Sequence, residues 1–475
     1  MTTLLRAMQT RDSYTTNGMV TNSSSLNSCV DLFFQFGAMR GKEKSRLISV
    51  FTKAYAEDPL TAMKLLFWVR DIRGGAGERQ IFKDIIQYLA DNRTDSLAKN
   101  LHLISEFGRW DDLLSLFGTR LESAALALIA SGLADKNGLC AKWMPRPNTK
   151  NKEAKAQAVK LLKYLNLTPK AYRKLLVENS NTVEQLMCSR SWDSIDYAKL
   201  PSKAMSDLMK TFSRHDSIRF GSYLTSLEKG ETKINAGAVY PYDIVKNLKY
   251  GDTRGANAQW TALPNYMEGN KERLLPMVDV SSSMSCSAGN SQTVSCIDVA
   301  LSLGIYISER NVGPFKDAFI TFTSNPTLQY LKGSLSERIR QLSGPVGFDT
   351  NIQAAFEMLL NKAVESKVAP EEMPTMIVVL SDMEFNSGNV RGWTAQDMVE
   401  ALYAKAGYEM PKLVYWNLHS RNDSNKPVHF DTYGTALISG FSVNILNNLL
   451  AGKEMTPYGM MMSVIDSDRY AEITV

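Results

Sequence analysis

The sequence predicts a two-domain chain, an all-α helical-repeat solenoid followed by an α/β doubly wound domain. Three observations carry that expectation. From about Cys29 to Leu263, apolar residues recur at helical spacing between short turns. From Leu274 onward, short β-rich apolar runs alternate with helical segments. The third is charge. The net +5 of the 475 residues divides into forty Lys/Arg against twenty-eight Asp/Glu through Arg273, and fourteen against twenty-one beyond it. A front half at +12 joined to a back half at −7 points to domains with different partners.

Composition sets the bounds. At 44% hydrophobic and 22% charged, the chain buries sizeable cores and is neither disordered nor fibrous. No apolar run approaches the ~18 residues of a membrane span, and the first fourteen residues lack the apolar segment of a signal peptide. Five scattered cysteines without a Cys-x-x-Cys pair argue against a disulfide framework or a zinc ribbon. A reducing cytoplasm fits them best. Four well-separated histidines argue against a His-built metal site.

Residues 1–27, rich in Ser, Thr and Asn, read as a polar N-terminal extension outside the core. The helical domain is assigned to 28–265. Leu47, Val50, Phe51 and Tyr55 mark one apolar face, and Ala62, Leu65, Leu66 and Val69 the next. Further helices are expected at 80–91, 96–106, 111–117 and 120–131, parted by turns such as Asp58-Pro59 and Gly74-Gly75. Helix upon helix with short turns indicates stacked pairs with a degenerate repeat. Pro264 and 265–271 read as a linker, and the α/β domain as 272–475. Its strands are expected at 275–280, 318–322, 376–380 and 413–416, with helices at 297–309, 351–361 and 394–405.

In open α/β sheets, ligands bind beyond the carboxyl ends of the strands. Three loops there carry oxygen ligands. Asp279-Val280-Ser281-Ser282-Ser283 ends the first strand, Gly347-Phe348-Asp349-Thr350-Asn351 opens a helix, and Ser381-Asp382 ends a later strand. Carboxylates and hydroxyls alone suit Mg²⁺ or Mn²⁺ rather than zinc. This set resembles the metal-ion-dependent adhesion site of von Willebrand factor A domains. By that resemblance Ser281, Ser283 and Thr350 ligate the metal directly, while Asp279 and Asp382 hold its waters. Ser282 and Met383 stand where that family often has glycine, and neither change removes a ligand.

The densest charge runs from Lys142 to Lys174. Ten bases, Lys142, Arg146, Lys150, Lys152, Lys155, Lys160, Lys163, Lys170, Arg173 and Lys174, face one acid, Glu153. Lys152, Lys155, Lys160 and Lys163 fall within about 140° of one helix face, opposite Ala154, Ala158, Leu161 and Leu165. With Trp143 and Tyr164 nearby, such a ridge suits a phosphate backbone and unstacked bases; a solvated lysine face is the plainer account. A second candidate is the glycine turn Gly74-Gly75-Ala76-Gly77 flanked by Arg70, Arg73 and Arg79. Its backbone N–H groups could meet an anion, or it could be a tight interhelical turn. No Lys-Ser/Thr pair follows it, so it is not a Walker A loop.

A helical front with this A domain resembles the TROVE family of Ro ribonucleoprotein-type proteins. Segments 62–82, 107–114, 142–174, 183–190 and 233–243 look closer to a TROVE-like family of viruses, phages and plants. The resemblance implies a ring of HEAT-like repeats closed by the A domain, binding small structured RNA and the single-stranded ends of misfolded RNA. No cation carries over individually, so the RNA contacts rest on charge alone.

The leading expectation is therefore a non-enzymatic RNA-binding protein of a small ribonucleoprotein, with no membrane partner. The alternative is a metal-dependent protein-interaction scaffold, in which the metal bridges to an acidic side chain of a partner. An enzyme ranks third. Asp279 lacks a second aspartate two residues on, and no G-x-S-x-G or H-E-x-x-H sequence occurs.

Overall fold

The computed structural model describes residues 10–180, 182–249, 251, 253–289, 291–342, 347–451 and 455–475. The front half is helical and the back half holds a mixed sheet. No helix among the described residues is long and apolar enough to cross a membrane.

Helices Ser28–Phe36, Lys44–Glu57, Pro59–Arg70 and Arg79–Asn92 each pack on the next. Local chemistry sets their ends. Asn27 caps the first through the Val30 N–H, and Asp58 caps the third through the Thr61 N–H with Pro59 in its first turn. The helix expected at 96–106 is broken into Thr94–Lys99, the 3₁₀ turn Leu101–Leu103 and Ile104–Phe107. Its Asn100 is buried and turns its side chain to the carbonyls of Ser96 and Thr474. The expected helix at 111–117 is a 3₁₀ stretch, Trp110–Leu116.

Two cores divide the helical half. A small one gathers Ile195, Tyr197, Met205, Met209, Phe212, Phe220 and Leu224. The larger runs without a break from Met19 through the first helices into the sheet and on to Ile473.

The sheet is built of β3 (Leu274–Asp279), β4 (Ala318–Phe322), β5 (Thr327–Tyr330), β6 (Met376–Ser381), β7 (Lys412–Asn417) and β8 (Thr435–Ser439), in the order β5-β4-β3-β6-β7-β8. All expected strands are present. β5 and β8 were not anticipated, and β5 runs antiparallel to β4, so the sheet is mixed rather than wholly parallel. Every residue of β3, β4, β6 and β8 is buried. Because side chains alternate between faces, both faces of that part of the sheet are covered.

The helical half seats on this domain at several places. Helix Ser28–Phe36 lies against β8, where Ser439 Oγ donates to Phe33 O at 2.5 Å and accepts from Gly37 N. A Cβ at Gly37 would stand 2.7 Å from the Cα of Gly440, so that approach requires glycine. Helix Pro241–Lys249 returns against helix Cys296–Arg310. The expected linker is likewise packed, with Met267 buried and Pro264 O accepting from Tyr306 Oη.

The polar stretch expected to stand outside the core does not do so. Residues 1–9 lie outside the described residues. From there, the hairpin of β1 (Ser13–Tyr14) and β2 (Val20–Thr21) straps the α/β domain. Thr15 Oγ1 donates to Phe385 O at 2.6 Å, Asn17 Nδ2 to Glu384 O at 2.6 Å, and Thr21 Oγ1 to Lys426 O at 2.9 Å. Polarity misled because these side chains satisfy the domain's own buried backbone, not water.

Candidate functional site

The strand order reverses between β3 and β6, and their carboxyl ends bring the three oxygen-bearing loops together. Asp279 accepts from the Ser281 N–H at 2.9 Å with Oδ1 and from Ser381 Oγ at 2.6 Å with Oδ2. Ser282 N donates to Gly347 O at 2.7 Å, which draws in the loop carrying Thr350. Thr350 is then tied to Asn386 in both directions, its N–H to Oδ1 and its carbonyl to the Asn386 N–H, each at 3.0 Å. Asp279, Ser281, Thr350 and Asp382 are all buried.

These groups fit a hard divalent cation. The Ser281 and Ser283 hydroxyls are 2.9 Å apart, and adjacent ligands of an octahedral Mg²⁺ at about 2.1 Å stand about 3.0 Å apart. Burial, reinforced by the charge of Asp382, pushes the Asp279 carboxyl up to about 7. Two buried carboxyls thus compete for charge, a conflict that a cation relieves.

Arg421 was not legible as part of this site. It follows β7, donates Nε to Asp382 Oδ2 at 2.8 Å and Nη2 to Ser283 O at 2.8 Å. Met383 occupies a backbone conformation that favours glycine. It adopts a left-handed φ of +64°, held by its N–H to Ser381 Oγ and its carbonyl to Asn425 Nδ2.

The basic segments divide. Helix Lys152–Tyr164 buries Ala158, Leu161 and Leu162 and exposes Lys152, Lys155 and Lys163. On helix Pro169–Asn179, Lys170, Arg173 and Lys174 are exposed. Among the described residues Lys150, Lys152, Lys155, Lys163 and Lys170 form no ion pair. Lys142 pairs with Glu184 at 3.0 Å, Lys160 with Glu122 at 2.5 Å and Lys174 with Glu178 at 3.5 Å. Arg146 turns to the carbonyls of Ala141 and Met144, and Arg173 Nε to that of Pro169.

The glycine turn joins two helices, and two of its N–H groups already donate within the chain, Gly75 to Asp71 O and Ala76 to Trp68 O, followed by Glu78 to Val69 O. Gly77, at φ +70°, lies hard against the Tyr240 hydroxyl. Arg70 is buried, with Nε on Asp112 Oδ2 at 2.7 Å, and so is withdrawn from any RNA surface. Arg79 also pairs with Asp111 and Asp112 but stays part-exposed, and Arg73 is exposed. Arg79 and Lys160 line one 650 Å³ cleft together with Lys83, Phe117 and Trp143. The fold thus joins one arginine of the turn to the lysine-rich helix.

Comparison with known proteins places the two halves separately. The model described as a domain of unknown function, DUF7788, matches residues 274–469. A second, DUF2828, matches 15–128 and 128–273. An uncharacterized protein, L728, of Acanthamoeba polyphaga mimivirus is 29% identical, over 96% of this chain and 87% of its own. The crystal structure of the Deinococcus radiodurans RO (RSR) protein aligns over 97% of this chain and 99% of its own, at 14% identity and a TM-score of 0.36, a likeness too slight to bear on fold or function. Since its model spans more than half of the residues, the chain belongs to the DUF2828 family, a domain of unknown function.

Proposed function

We propose that the protein is a non-enzymatic RNA-binding component of a small ribonucleoprotein. In this reading the helical half is a HEAT-like array of the TROVE type, and the back half is a von Willebrand factor A-like domain holding Mg²⁺ or Mn²⁺. The observation that carries it is the set of exposed lysines without ion pairs among the described residues, Lys152, Lys155 and Lys163 on one helix, Lys170 on the next and Lys150 in the loop ahead of them. Such cations neutralise phosphates at the expense of condensed counterions. In the adjoining cleft Trp143, one face of which Arg109 covers at 3.8 Å, and Phe117 supply aromatic surface for unstacked bases. The ring shape and the cytoplasmic setting belong to the same proposal.

Filter binding of single-stranded RNA over a salt series tests it. Several phosphate contacts give a log–log slope near −0.7 for each. No binding at low salt, or a flat slope, would overturn the reading.

Phe348 favours a second reading. It is 89% exposed two residues before Thr350, an aromatic side chain at the edge of the oxygen site. A partner bringing a carboxylate to the cation would find an apolar anchor beside it. In that case Asp279→Ala abolishes protein binding, and charge reversal on the lysine helix does little.

A further inference from the structure

The carboxyl end of the sheet also gathers a sulfur–nitrogen cluster whose members are scattered along the chain. Cys286 follows the 3₁₀ turn Ser282–Ser285, Cys296 opens helix Cys296–Arg310, and His419 lies two residues past β7. One ligand atom from each lies within 4.8 Å of the other two. The spacing of the cysteines is set by backbone. Cys296 N donates to Cys286 O at 2.9 Å, and Ser287 bridges to Ser295.

The two Sγ atoms stand 3.5 Å apart. A tetrahedral Zn²⁺ with sulfur at about 2.3 Å holds its thiolates about 3.8 Å apart, whereas a disulfide requires about 2.05 Å. The observed gap is close to the metal spacing.

We propose that Cys286, Cys296 and His419 form a second metal site, for a thiophilic divalent ion of the zinc class. It is distinct from the all-oxygen site of Asp279 and Ser281, and softness of ligand separates the two ions. Cys286 and His419 are part-exposed while Cys296 is buried, so the fourth position opens toward solvent and takes water or an outside ligand. Lys42 Nζ lies 3.1 Å from His419 Nε2, and this long, flexible side chain swings aside when the ring ligates.

The test uses the full-length protein, reduced, stripped with chelator and titrated anaerobically with Co²⁺ alone. A single equivalent should raise a thiolate-to-cobalt charge-transfer band with the ligand-field absorption of a tetrahedral ion, both removed by Zn²⁺. The double variant Cys286→Ser with Cys296→Ser should abolish the charge-transfer band, and His419→Gln should weaken cobalt binding, while the far-UV circular dichroism stays unchanged. Asp279→Ala and Cys188→Ser should leave the band intact. Absence of the band in the wild type, or its persistence in the double cysteine variant, overturns the proposal. So does a Cys286–Cys296 disulfide in the isolated protein whose reduced form takes no cobalt, which would make the cysteines a redox pair instead.

Discussion

Asp71 and Arg469 stand 398 residues apart in the chain and form a two-pronged ion pair. Arg469 Nη2 donates to Asp71 Oδ1 at 2.7 Å, Nε donates to Oδ2, and the Tyr470 hydroxyl adds a third bond at 3.1 Å. Tyr470 in turn stacks on Phe107 at 5.5 Å. The last residues of the chain thereby lock the glycine turn of the helical half. Asp71 is only 1% exposed, so losing the guanidinium strands a buried carboxylate. Arg469→Ala is expected to lower stability by about 2 kcal/mol. The urea midpoint should fall with its slope unchanged, and an unmoved midpoint would show the pair to be energetically idle.

Asp279 makes metal-free stability depend on pH. Its carboxyl is raised from an ordinary 3.8 to about 7 by burial and by Asp382, with Arg421 the facing cation. The folded state thus holds a proton that the unfolded state gives up. That contribution is full below about pH 4 and is lost as pH rises toward 7. In chelator, denaturation midpoints of the wild type should decline over this window more than those of Asp279→Asn. Calorimetry in buffers of different ionisation enthalpy should detect proton release on Mg²⁺ binding at about pH 6, fading by about pH 8.5. Equal slopes for the two proteins would exclude Asp279 as the source.

Arg421 already supplies Asp382 with a positive charge. Without it, Asp382 loses its ion pair beside a second buried acid, Asp279. Arg421→Ala should therefore melt lower than the wild type in chelator and gain more from saturating Mg²⁺. A thermal shift that is the same for both proteins would count against a cation at this site.

Arg70 and the exposed lysines should separate cleanly in mutagenesis. Arg70→Ala strands buried Asp112, which also meets Arg79 and Lys83. It should cost about 3 kcal/mol and leave the salt slope of RNA binding unchanged. Lys152→Glu with Lys155→Glu and Lys163→Glu should do the reverse, flattening the slope while the melting temperature moves little. A triple variant that binds RNA as the wild type does would refute the lysine ridge.

The order of elements was legible because it depends on local pattern. The apolar runs at 275–280, 318–322, 376–380 and 413–416 became strands, as their short length, β-branched and aromatic content and flanking turns predict. The D-x-S-x-S run and Asp382 fall at strand ends for the same reason. Lys152, Lys155 and Lys163 appear on the outer face of their helix, as the 3.6-residue period requires. β8 escaped notice because Thr435–Ser439 is too short and mixed to stand out from loop.

Sequence by itself therefore determined the helical front, the α/β back, the charge divided between them and the carboxylates and hydroxyls at the strand ends. Tertiary structure alone decided which charges are free and which are spent. It buried Arg70 against Asp112, placed Arg421 on Asp382, drew residues 13–22 over the sheet and brought Cys286, Cys296 and His419 within reach of one ion. The reason is physical. Periodicity and turn chemistry act over a few residues and can be read along the chain, whereas a charge or a thiol acquires its role from groups that only folding brings near.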